Sequence, residues 1–175
     1  MNISRTFVLN AVHVLFWIVF IGLCIETGGL LTTFVASLIK GPEVVPYMYL
    51  DINLPGLQAS NLLFYVNMAT SIVLLSGLKT YMAYLVTVIM GSFKYEKPFD
   101  AAIVRQVTRI SHVALGAGFL AIMVTGYAEW LQKKGYAIPQ QWDGGEFLFL
   151  AGIIFIIANV LQKGVELQTE NELTV

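Results

Sequence analysis

The sequence predicts an all-α fold, an integral membrane four-helix bundle with a short amphipathic helix ahead of its third span. Three observations carry that prediction. Charged residues are 12% of the 175 and hydrophobic ones 57%, with a mean hydropathy of +0.74, whereas soluble domains carry about 25% charged residues. Four apolar stretches, 7–39, 60–93, 111–131 and 146–163, are each long enough to cross a hydrocarbon core that needs about 20 residues. Polar residues collect between these stretches, in segments broken by proline and glycine. The chain is read as one transmembrane domain over 1–175 with a polar tail at 164–175.

The first stretch begins at Phe7 and holds one formal charge, Glu26, before Ile39. It is far longer than a signal-peptide core of about 7–15 residues, so it is expected to be retained. Gly28-Gly29 is its natural point of bending, because glycine disfavours a helix interior by about 1 kcal/mol relative to alanine. The second stretch holds one charge, Lys79, between Ser60 and Phe93. Thirty helical residues make about 45 Å against a core of about 30 Å, so these two spans must tilt, kink or project. Between them, Pro42, Pro46, Pro55 and Gly56 punctuate a connection whose Tyr47–Leu50 patch is apolar enough to pack on the bundle mouth or form a short strand.

Lys97-Pro98-Phe99-Asp100 reads as a helix start with Asp100 as N-cap. Ile103, Val107 and Ile110 then share one face while Arg105 and Arg109 share another, which predicts an amphipathic helix at the membrane surface. The third span is rich in small residues, with Ala114 and Gly118, and Ala117 and Ala121, at four-residue spacing. Such spacing lets helix backbones approach closely. The fourth is almost wholly Leu, Ile, Phe and Ala, interrupted by Asn159.

Lysine and arginine set the expected orientation. Arg5, Lys94, Lys97, Arg105, Arg109 and Lys163 fall on the side of both termini, against Lys40, Lys133 and Lys134 on the other. That bias places both termini in the cytoplasm of a bacterial inner membrane. A net charge of −1 and pI near 6.1 leave no basic surface for direct nucleic-acid binding. A single cysteine, Cys24, excludes an internal disulfide and a CxxC redox pair. No hydrolase, metalloprotease or nucleotide-binding motif is present, so no catalytic residue and no cofactor is assigned and the chain is read as non-enzymatic.

The candidate site is the intramembrane pair Glu26 and Lys79, with Ser76 and Thr80 adding polarity to the second span. An ionisable side chain in hydrocarbon costs a few kcal/mol or more and is by default paired or functional. Side chains lean toward their helix N-terminus, so on antiparallel helices the two vectors converge and an ion pair is expected. In the competing reading Lys79 snorkels or meets a carbonyl while Glu26 reaches the outer interface. Tyr47, Tyr49, Trp130 and Trp142 form an outer aromatic rim, either as an interfacial belt or closing a pocket over Glu26. His13 and His112, on two different spans, are a weak haem-ligand alternative without spacing signature. At the other end Arg105, Arg109, Glu166, Glu170 and Glu172 are docking candidates; the tail either binds a partner or folds back on the two arginines.

The stretches Ala11–Glu26, Gly77–Tyr81, Lys97–Phe99, Glu146–Ala158 and Gly164–Val175 together resemble the bacterial domain-of-unknown-function family 2975. The resemblance covers nearly the whole chain. It implies a small four-span inner-membrane protein of a form typical of Bacteroidota, with no established activity and hence no catalytic residue to carry over. It also implies a cytoplasmic partner, a small helix-turn-helix regulator encoded beside some members. Two functions follow as expectations: a regulatory or sensory membrane protein, or a small ligand- or ion-binding bundle using Glu26 and Lys79. Homo-oligomers are compatible with both.

Overall fold

The computed structural model of the chain describes residues 3–41, 54–92, 101–136, 138 and 144–173. Among them there are five helices: α1 (Ile3–Lys40), α2 (Pro55–Ser60), α3 (Leu62–Ser92), α4 (Ala101–Lys133) and α5 (Gly144–Leu173). Four are long and apolar enough to cross a membrane. The all-α, four-span architecture expected from the hydropathy pattern is what the chain forms.

The helices pack as a row in chain order. α1 lies on α3, α3 on α4, and α4 on α5, while α2 rests on α3. Among the described residues, the backbone of α1 approaches neither α4 nor α5. Its seam against α3 follows a heptad: His13 faces Gly91, Phe20 meets Tyr84, Leu23 and Thr27 meet Thr80, and Phe34 and Ser37 meet Tyr65. Spacings of three and four residues are what keeps one helix face against a partner. α1 is continuous through Gly28-Gly29, so the expected loosening there does not end the helix. The carbonyl of Gly29 accepts bonds from the Thr32 and Thr33 hydroxyls.

The α4–α5 contact is the tightest in the fold. A Cβ at Gly118 would stand 2.7 Å from Leu148 Cδ2, and one at Gly144 would stand 2.8 Å from the Gly118 carbonyl oxygen. Ala114, Ala117, Ala121 and Ala151 are fully buried, so the small-residue spacing of the third span does serve close approach. Ser111 donates to the Ala151 carbonyl across this seam at 3.0 Å.

Two details differ from the sequence reading. The amphipathic stretch from Ala101 to Ile110 is helical, but it is the beginning of α4 and not a separate surface element. No helix breaker separates it from the third span, and Ile103, Val104 and Ile110 are buried while Arg105 and Arg109 are exposed. The Asp100 cap and the Tyr47–Leu50 patch lie outside the described residues. What packs on the bundle mouth from the first connection is α2, with Leu54 and Leu57 buried against Leu30, Tyr65, Met68 and Ile138. Gln58 fastens it by donating to the Ser37 carbonyl at 2.8 Å.

Candidate functional site

Thr27 sets the level at which the first two spans meet. Its hydroxyl lies 2.7 Å from Ser76 Oγ and 2.8 Å from Thr80 Oγ1, and Thr80 also donates to the Leu23 carbonyl at 3.2 Å. Glu26 precedes Thr27 and Lys79 precedes Thr80, so the two charges stand at one depth. Every window of about 20 residues that fits within 7–39 contains position 26, and every such window within 60–93 contains position 79. Both groups therefore lie within the apolar stretches of their spans.

The two do not pair. Glu26 is exposed, and the ion pair found among the described residues is Lys163–Glu166 at 2.8 Å. Lys79 is half-buried and holds its ammonium 5.5 Å from the centre of the Phe147 ring on α5. A ring face attracts a cation through its quadrupole, more strongly where water is excluded. The expectation that Ser76 and Thr80 belong with the charged pair is met differently. They form, with Thr27, the hydroxyl ladder that occupies the seam itself.

A residue one step from the seam is turned by about 100° around its helix. On antiparallel helices the residues preceding Thr27 and Thr80 turn toward the same flank, which is the flank where α5 supplies Phe147. Glu26 thus stands on the same flank as Lys79 and is exposed there. The arrangement leaves a carboxylate without a cation and a cation held by an aromatic ring.

The outer aromatic residues assemble elsewhere. Trp130 stacks on Tyr127 at 5.8 Å and meets the edge of Phe64 at 5.4 Å, and Phe64 meets Tyr136 at 6.2 Å. The Lys134 ammonium lies 3.9 Å from the Trp130 ring centre and 5.3 Å from that of Phe64. Phe64 stands about 20 Å along α3 from the level of Glu26, so Trp130 closes no pocket over the carboxylate. Tyr47, Tyr49 and Trp142 lie outside the described residues. The sequence reading missed Phe64, whose place in an apolar run hides it, and the lysine lid, which i, i+4 spacing from Trp130 to Lys134 would have shown.

The histidines are also apart. Trp17 Nε1 donates to His13 Nε2 at 3.0 Å, while His112 is exposed on α4, a helix that α1 does not approach. The geometry does not set them up as two axial ligands. Among the described residues no three His, Cys, Asp or Glu side chains gather as a metal site.

At the end carrying the termini, α5 stays helical to Leu173. Ser111 meets Ala151, so in antiparallel register Arg105 is level with about residue 157, and Glu166 lies about 14 Å further along the axis. The tail runs on in line and does not fold back over Arg105 and Arg109. Glu166 is paired with Lys163, Glu170 lies one turn beyond it, and the Glu172 side chain is outside the described residues.

No curated protein and no solved structure matches the chain. A family described as "Protein of unknown function (DUF2975)" matches residues 40–175, which takes in α2 to α5 and leaves most of α1 ahead of the match. With more than half of its length matched, the chain belongs to the DUF2975 family of proteins of unknown function.

Proposed function

We propose that this multi-pass membrane protein is a non-enzymatic regulatory or sensory component of a bacterial inner membrane, with both termini in the cytoplasm and a protein partner held there. One observation carries the reading. Ala101, where α4 begins, is level with about residue 161, so the last twelve residues of α5 project about 18 Å beyond it as a charged helix. A polar helix that continues past the start of α4 offers a surface to another protein. The bias of lysine and arginine toward that end supports its cytoplasmic placement. A small helix-turn-helix protein, basic where it meets DNA, suits the acidic surface of Glu166 and Glu170.

Co-purification with such a regulator, from the full chain and from a chain ending at Lys163, tests this. Retention by the full chain and loss on truncation is expected; equal behaviour of the two forms contradicts it. A second reading, a ligand- or ion-binding bundle, is favoured specifically by the exposed Glu26 inside the first apolar stretch. Its requirement is a ligand whose binding is lost in Glu26→Gln.

A further inference from the structure

We propose that the flank of α1 centred on Glu26 is the docking surface for a transmembrane helix of a partner protein that carries a lysine or arginine at the depth of Glu26. Glu26 is the observation that carries this. It lies inside the apolar stretch 7–39, it is exposed, and among the described residues no cation pairs with it. Lys79 is turned to Phe147, and Lys40, at the end of α1, is fourteen residues or about 21 Å away. An ionised carboxylate facing acyl chains is costly, and opposite charge from a neighbouring helix is the usual remedy.

The backbone around Glu26 is shaped for such a neighbour. Val19, Gly22, Glu26, Gly29, Thr33 and Ala36 repeat the three-and-four spacing of the α3 seam, displaced by one residue. The first three are exposed and the last three half-buried. Where a Cβ would stand on Gly22, nothing lies within 4 Å. One turn from the carboxylate, therefore, a foreign helix can come close enough to bring a cation alongside. Charge decides between occupants. A second copy docking by the same flank would set Glu26 against Glu26, whereas a basic partner helix neutralises it.

The inference is independent of the α5 projection and survives truncation at Lys163. Its test uses the full chain reconstituted in phosphatidylcholine liposomes, with a donor dye at the C-terminus. Acceptor-labelled leucine-alanine transmembrane peptides carry lysine, leucine or glutamate at their centre. The lysine peptide should associate at least tenfold more strongly than the leucine peptide, and the glutamate peptide no better than leucine. Glu26→Gln should abolish that preference while keeping the native elution volume and melting temperature. Gly22→Leu should weaken the lysine peptide with the fold equally intact. Equal energy transfer from lysine and leucine peptides overturns the proposal, as does a preference that survives Glu26→Gln. Glu26-dependent transfer between two full chains that the lysine peptide cannot displace overturns it in favour of a second copy.

Discussion

The hydroxyls of Thr27 and Thr80 lie 2.8 Å apart across the contact between the first two spans, while the charged residues that precede them form no ion pair with each other. A hydroxyl ladder therefore joins α1 to α3, with Ser76 as its third member at 2.7 Å from Thr27. Among the described residues α1 approaches no other long helix, so this ladder and the heptad around it, with the Gln58 bond from α2, hold the first span.

Thr27→Val keeps the side chain's shape and removes the shared hydroxyl. Thr80 retains its bonds to the Leu23 carbonyl across the seam and to the Ser76 carbonyl, so only the bonds of the Thr27 hydroxyl to Ser76 and Thr80 are lost. Interhelical hydrogen bonds in membranes average about 0.6 kcal/mol and reach about 1.7. A loss of about 1 kcal/mol in reversible detergent unfolding is expected, together with earlier proteolysis of α1 than of α4 or α5.

Glycines of the third and fourth spans should divide sharply. An added Cβ at Gly144 meets the Gly118 carbonyl at 2.8 Å and the Ile122 nitrogen at 3.0 Å, and backbone cannot step aside. Gly144→Ala should cost about 1–3 kcal/mol, as overpacking does. Gly118→Ala meets Leu148 side-chain carbons first, which can turn, and should cost less. Gly152→Ala and Gly116→Ala have open space and should be neutral or slightly stabilising through helix propensity. Melting temperatures in one detergent rank the four.

At the opposite end from the termini, Lys134→Met removes the cation from the Trp130 and Phe64 rings. Exposed contacts of this kind contribute about 0.5–1 kcal/mol. A loss of that size is expected, with a change in tryptophan emission that Trp130→Phe eliminates. No change in emission would place the lysine away from the rings.

Much of the fold was legible in the sequence because hydropathy alone marks a span: α1, α4 and α5 contain the apolar stretches from which they were expected, and α3 covers residues 62–92 of the stretch 60–93. The two charges and their common depth were legible as well. Which side chains occupy the seam was not. α1 is apolar on nearly every face, so its heptad has no polar counterpart to stand out against. Thr27, Ser76 and Thr80 gave no signal of linking helices, since hydroxyls in a helix satisfy themselves on the preceding turn, as Thr80 also does with the Ser76 carbonyl. Lys79 was expected to seek a carboxylate; the Phe147 ring that holds it belongs to a helix 68 residues further along the chain, a proximity that only the packing of α5 on α4 creates. The acidic tail, read as a docking peptide or a cap, contains no proline, and Gly164 alone did not end α5.

The most direct test is a double-mutant cycle of Glu26→Gln and Lys79→Met followed by unfolding in detergent. Lys79→Met should be destabilising through the lost contact with Phe147, and Glu26→Gln neutral or stabilising through the removal of an unpaired charge. Sites that do not interact add to within about 0.3–0.5 kcal/mol. Additivity within that margin is the predicted result. A coupling above about 1 kcal/mol, with Glu26→Gln rescuing Lys79→Met, would show an ion pair in place of the hydroxyl ladder and contradict the account.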